Sequence, residues 1–183
     1  MKKRFNKLSI LSLLVLPFLS ACGPTMPDLG EKVESRTLEI YVLNDFHGAF
    51  MYDESTKQTG FSKIGNFLIN EKKNNPQNTV IVSSGDMFQG GAESNITRGS
   101  IMIDTMNEIG FDSMTVGNHE FDWGEEILKD MVDQMDFPLL CINTYYAGTE
   151  NRPEYFLPST YIEKEGIRIG IIGAIYSNIA SSI

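Results

Sequence analysis

The most constraining stretch of this chain runs from Ser113 to Asp122. Ser113 to Val116 favour a strand, Gly117 breaks the run, and Asn118, His119, Glu120 and Asp122 follow at once. From Trp123 the apolar residues Ile127, Leu128, Met131, Val132 and Met135 recur at helical spacing, which makes Asp122 the expected N-cap. An amide, an imidazole and carboxylates thus fall on a strand-to-helix turn. That is the carboxyl edge of a strand, where open α/β sheets bind ligands.

Two earlier strand ends repeat the arrangement. Leu38 to Leu43 leads into Asn44-Asp45-Phe46-His47-Gly48, and Val80 to Ser84 leads into Gly85-Asp86. Taken singly, each is unremarkable. An Asp-x-His pair is equally a capping Asp beside an exposed His, and Gly-Asp opens ordinary turns. If strand geometry persists past Leu43, Asp45 and His47 point to the same side, and a carboxylate with an imidazole suits Zn, Mn or Fe. Three strand ends bearing metal-capable side chains make one site.

The rest of the chain supplies the scaffold. A first strand (about 37–44) precedes a helix using Phe61, Ile64, Phe67 and Leu68, which Asn74-Asn75-Pro76 ends. A second strand (about 79–84) leads to a polar, Gly-rich loop from Gly85 to Gly99. Ser100 is the expected N-cap of a helix using Ile101, Ile103, Met106 and Ile109, with Gly110 as its left-handed stop. A third strand, the central turn, a helix over about 124–135 and a fourth strand over about 138–143 follow. Strand–helix–strand repetition with near-continuous apolar strands predicts parallel pairing with helices packed on the faces. Tyr161 to Gly173 reads as two antiparallel strands joined at Glu165-Gly166.

At 183 residues the chain is long enough for one domain with a core. A formal charge of -9 argues against a general nucleic-acid binder, since phosphate backbones call for a basic face. It does not argue against small phosphorylated substrates, because a bound dication reverses the local field. Cys141 lies alone in the apolar run Pro138 to Ile142 and reads as a buried thiol, so no disulfide framework is expected. Without a partner for Cys141, a thiol-redox reading has little behind it.

The leader reads separately. Lys2, Lys3, Arg4 and Lys7 precede an apolar stretch from Leu8 to Leu19, the pattern of a secretory signal too short to span a bilayer. It ends Leu19-Ser20-Ala21-Cys22-Gly23, which resembles the lipobox of bacterial lipoproteins. That resemblance implies cleavage before Cys22 and lipid attachment there, and so an extracytoplasmic protein anchored to a bacterial membrane. Losing residues 1–21 removes four basic residues and no acidic ones, taking the formal charge from -9 to -13. Lipid chains, not electrostatics, would then hold it to the membrane. The expected division is a signal peptide over 1–21, a tether over 22–36 and a catalytic-type domain over 37–183.

The motifs Asn44-Asp45-Phe46-His47-Gly48, Gly85-Asp86-Met87-Phe88-Gln89-Gly90 and Gly117-Asn118-His119-Glu120-Phe121-Asp122, in this order, resemble the calcineurin-like metallophosphoesterase superfamily. Within it the likeness is to the 5'-nucleotidase family, over roughly Leu38 to Ile175. The segment Met106 to Asp112 is similar to that family's helix between the second and third motifs. The resemblance implies an α/β fold, here part of a metallophosphoesterase β-sandwich built of a βαβαβ half and a hairpin. It implies two divalent ions (Zn, Mn, Co or Fe) as cofactors, with Asp45 and His47 on one, Asp86 bridging and Asn118 on the second. It places His119 at the phosphate, oriented by Asp122, and implies hydrolysis of a nucleotide or another small phosphate ester by a metal-activated water. Two dications close together do need a shared anionic ligand, and metal coordination does acidify water. An imidazole beside a carboxylate holds its proton more easily and can donate to a phosphoryl oxygen. Asp122 would then divide its work between helix capping and orienting His119. Glu120 reads as a surface or supporting residue, and Trp123 as core.

The family pattern also takes histidines from two later strands, whereas this sequence holds only His47 and His119. The resemblance therefore implies an N-terminal portion of such an enzyme, with an open sheet edge and an exposed apolar face. The competing expectation is an inactive lipoprotein remnant with at most a weak single-metal site. Nothing in the sequence bears on oligomeric state.

Overall fold

A computed structural model describes residues 35–177. The basic and apolar leader and the lipobox Cys22 lie outside the described residues. Four strands, β1 (Glu39–Leu43), β2 (Thr79–Ser83), β3 (Ser113–Thr115) and β4 (Leu139–Leu140), lie side by side in chain order, all parallel. Helices α1 (Phe61–Asn74), α2 (Ala92–Thr97), α3 (Ser100–Ile109) and α4 (Glu125–Val132) occupy the crossovers that parallel neighbours require. Sequential strand order with the usual right-handed crossover puts every helix on the same face. The expected parallel sheet with packed helices and an exposed apolar face is what the chain forms. In β1, Tyr41 packs on the core and Leu43 is buried, while Ile40 and Val42 are 55% and 58% exposed.

The core lies between that sheet face and the helices. Leu43, Ile81, Met114 and Leu139 of the strands meet Phe61, Leu68, Met102, Met106, Leu128 and Met131 of the helices. β2, flanked by a strand on each side, is buried along most of its length, which explains its unbroken run Thr79-Val80-Ile81-Val82-Ser83. Cys141 is fully buried with its Sγ 2.9 Å from Thr144 Oγ1, as a structural thiol. Trp123 packs partly buried against the core.

Helix boundaries show where local signals were outvoted. Gly110 closes α3 at φ 77°, its N–H bonded to the carbonyls of Met106 and Asn107, as its position predicts. The Gly85–Gly99 loop, in contrast, contains α2, which ends on Arg98 in the left-handed region. Gly99 then stands at the N-cap of α3, so Ser100 is not the cap; it is the first helical residue and its hydroxyl donates to Gln134 Oε1 at 3.0 Å. α4 starts at Glu125 behind Gly124, ends at Val132, and is not capped by Asp122.

β4 is shorter than 138–143 because the chain leaves the strand after Leu140, where Cys141 and Ile142 donate their N–H groups to Leu157 and Gly173 at 2.8 Å each. The Asn143 side chain clasps the backbone of Ile175 instead, donating to its carbonyl at 2.6 Å and accepting its N–H at 2.9 Å. The tail forms the expected hairpin, β5 (Ser159–Lys164) against β6 (Ile167–Ile172). Glu165 and Gly166 both take positive φ at its turn, which matches the twist of a two-residue hairpin. Among the described residues no helix is long and apolar enough to cross a membrane.

Candidate metal centre

The ends of β1 and β2 stay bonded after regular strand geometry stops. The N–H groups of Asp45, His47 and Gly48 donate to the carbonyls of Gly85, Asp86 and Met87 at 3.1, 3.0 and 2.9 Å. Asp45, His47 and Asp86 all sit in the left-handed region, at φ 55°, 48° and 57°. Asp and His are among the non-glycine residues that tolerate it, yet three together are uncommon and carry strain. The bonds between the two corners hold that conformation. Persisting strand geometry is therefore not what aligns Asp45 and His47. The turns do it, and they bring one potential ligand atom each from Asp45, His47 and Asp86 within 4.8 Å of one another.

Each of the three is set for coordination. His47 Nδ1–H donates to the Gln89 carbonyl at 3.2 Å, which fixes the tautomer and leaves Nε2 as the lone-pair nitrogen. That Nε2 lies 3.7 Å from Asp45 Oδ1. Asn44 donates its amide N–H to the other oxygen of Asp45. Asp86 stands between this pair and the third corner, where its Oδ1 accepts the backbone N–H of His119 at 2.9 Å. Gly117 makes that approach possible, since a Cβ there would overlap both the carboxylate and the backbone nitrogen of Asp86.

The third corner folds into a short 3₁₀ turn over His119–Phe121, with Asn118 at its head. The Asn118 carbonyl accepts the Phe121 N–H at 3.2 Å, and Asn118 directly precedes the residue bonded to Asp86. His119 Nδ1–H donates to Asp122 Oδ2 at 2.7 Å, and the rings of His47 and His119 meet edge to face with centroids 4.8 Å apart. The bond to Asp122 raises the His119 pKa above the usual imidazole range, against partial burial, with the charges of Asp122, Asp86 and Glu120 adding to the rise. Asp122 thus serves His119 and not the helix, which settles its divided duty.

Of the two readings open for Glu120, surface or supporting, the structure takes the second. Glu120 is 0% exposed. Its Oε2 accepts the N–H groups of Asp86 and Gly117 at 2.9 and 2.7 Å, and its Oε1 accepts that of Met87 at 2.9 Å. Burial raises its pKa, partly offset by those three N–H donors. One signal did exist: Glu120 follows Gly117 by three residues, the spacing at which a Glu reaches back to a backbone N–H as in a capping box. The rest of its role depends on a loop 33 and 34 residues away, which no local pattern reveals.

A cleft of about 830 Å³ opens from Asp45 and His47 and is walled by Tyr52, Gln58, Gly91 and Glu93. The six residues picked out from the sequence therefore lie on three adjoining corners, Asp45 and His47 on the first, Asp86 on the second, Asn118, His119 and Asp122 on the third.

Residues 38–165 match the family of calcineurin-like phosphoesterases. The chain is 29% identical over 177 residues to a 5'-nucleotidase of Vibrio cholerae, covering 94% of this chain and 31% of that one. It is 30% identical over 192 residues to a 2',3'-cyclic-nucleotide 2'-phosphodiesterase/3'-nucleotidase of Haemophilus influenzae, covering 94% and 28%. Among solved structures, the 5'-nucleotidase precursor of Thermus thermophilus superposes with a TM-score of 0.66 at 25% identity, over 79% of this chain and 30% of that one. The chain spans under a third of the length of these relatives.

Proposed function

This chain belongs to the calcineurin-like phosphoesterase family, and from that premise we propose that it forms the metal-gathering part of an enzyme that hydrolyses nucleotides or kindred small phosphate esters. The observation that carries the reading is the convergence of Asp45, His47 and Asp86, with ligand atoms within 4.8 Å. Two carboxylates and an imidazole whose other nitrogen is already engaged suit Zn, Mn, Co or Fe. Asp45 and His47 would hold one ion, Asp86 would be shared with a second, and the Asn118 amide oxygen would serve that second ion.

When bound, such ions would offset the charge of the phosphoryl oxygens and acidify a water into a nucleophile. The chain's own part is proton placement. Asp122 holds Nδ1–H of His119, so Nε2 is the nitrogen that meets substrate. Because the same bond favours the imidazolium, His119 is suited to donate to a phosphoryl oxygen or to the departing alkoxide. The nucleotide assignment takes its support from the activities in the names of the Vibrio and Haemophilus relatives.

A second reading is favoured by the ligand count. Among the described residues, one group of His, Cys, Asp and Glu side chains converges closely enough to hold an ion, and it has three members. A chain with that group alone is a single-metal binder without turnover.

The two readings separate in one assay. The full chain is loaded with Mn, Zn or Co, its metal content measured, and phosphate release from a nucleoside monophosphate followed. Metal-dependent turnover that falls about 100-fold in His119→Ala, the scale of a lost electrostatic donor, supports the enzyme. Metal uptake without turnover favours the second reading for this chain taken by itself, and no uptake sinks both.

We further propose an extracytoplasmic, lipid-anchored location, on the strength of the sequence Leu19 to Gly23. Radiolabelled palmitate should enter the protein in a bacterial host and fail to enter Cys22→Ser. Equal labelling of both would overturn the anchor.

A further inference from the structure

Glu120 is the one fully buried charged side chain among the described residues. A carboxylate out of water is costly unless its oxygens are satisfied, and this one takes three backbone N–H donors. The donors come from two corners. Asp86 and Met87 belong to the loop after β2, and Gly117 to the loop after β3. We propose that Glu120 is a positioning residue for the metal centre, acting through Asp86. The inference rests on the reading of Asp86 as a metal ligand.

Asp86 shows why such a residue is needed. It sits at φ 57°, a conformation that Asp tolerates but at some cost in strain. Its N–H is held by Glu120, its carbonyl by the His47 N–H, and its carboxylate by the His119 N–H. Glu120 is thus the side chain that ties the Asp86 backbone to the third corner, while His47 ties it to the first. Releasing one strap would let Asp86 relax towards an ordinary conformation and swing its carboxylate out of line with Asp45 and His47.

Few other residues can replace it. Gln has the same shape but would set an amide NH₂ against at least one of the three donors. Asp is one methylene shorter, and Ala would leave three N–H groups without their acceptor. The bonds therefore call for an ionised carboxylate on a Glu-length stem.

The test compares Mn²⁺ binding by calorimetry in the wild-type chain, Glu120→Gln and Leu128→Ala, at a temperature where circular dichroism shows each folded. Leu128 is fully buried in α4 and belongs to none of the three corners, so its truncation reports loss of core packing. Glu120→Gln should weaken Mn²⁺ binding about 10- to 100-fold, the range seen for supports of metal ligands, while Leu128→Ala stays within about twofold. Wild-type affinity in Glu120→Gln, or an equal loss in Leu128→Ala, would overturn the positioning role alone. No Mn²⁺ uptake by the wild-type chain would overturn Asp86 as a ligand and this inference with it. Should Glu120→Gln not fold, hydrogen exchange on the wild-type chain decides. The Asp86, Met87 and Gly117 amides should be protected like those of β2, and exchange at the rate of open loops would overturn the proposal.

Discussion

His119 Nδ1 lies 2.7 Å from Asp122 Oδ2, three residues further along the same turn. The pair is local in sequence, yet it has meaning only because the His119 N–H is bonded to Asp86, on another strand's loop. The imidazole is thereby held at both its backbone and its ring, with Nε2 as the remaining proton donor. The bond to Asp122 also favours the imidazolium that the proposed chemistry needs.

The pH behaviour follows with a definite sign. The folded-state pKa of His119 is raised, first of all by its bond to Asp122, above an unfolded value of about 6.5. The stabilisation from this pair is fully present below about pH 6.5 and is lost as pH rises through the raised folded value. Asp122→Asn should move the His119 titration, followed by NMR on metal-free protein, towards lower pH. An unchanged midpoint would show that Asp122 does not set the imidazole's charge.

Metal binding should register as stability. A ligand at 100 times its dissociation constant adds about 2.7 kcal/mol to the folded state. Scanning calorimetry should therefore show a higher Tm with Mn or Zn, reversed by EDTA. Asp86→Ala should abolish the shift. A metal-induced rise that survives in Asp86→Ala would remove Asp86 from the site.

Two glycines separate steric need from backbone freedom. A Cβ at Gly117 would strike the Asp86 carboxylate and backbone, whereas one at Gly170 on β6 meets nothing within 4 Å. Gly117→Ala should cost about 1–3 kcal/mol in denaturant unfolding, as overpacking does, and lose metal uptake. Gly170→Ala should stay within about 0.5 kcal/mol of wild type, as open positions do. Equal behaviour of the two would contradict the close approach at the second and third corners.

The outer edge of the sheet carries a prediction of a different kind. Among the described residues β1 has a partner on one side only, and its Ile40 and Val42 are exposed. An unpaired strand with apolar residues invites self-association. Ile40→Lys should shift sedimentation towards monomer while changing stability by no more than about 0.5 kcal/mol. Identical sedimentation of the two proteins would show that this edge is not adhesive.

Much of this architecture is legible in the sequence. Strand–helix–strand order, the αL stop at Gly110, the Glu165-Gly166 hairpin turn and the buried Cys141 all rest on short-range patterns that the tertiary structure left intact. Ser100 and Asp122 misled for one reason. Each carries a good capping side chain, and each found a better partner elsewhere, in Gln134 and His119 respectively. Gly99 and Gly124 occupy the cap positions instead, without side-chain caps.

By itself the sequence determined which side chains stand at the three strand ends, because strand period, glycine breaks and motif order are all properties of neighbours along the chain. Only the tertiary structure decided how they meet. The left-handed turns of Asp45, His47 and Asp86 are held by bonds between loops about 40 residues apart, and Glu120 is buried because a second loop covers it. A side chain's neighbours across the sheet leave no trace in its own local pattern, so its burial and its conformation become visible only once the chain has closed on itself.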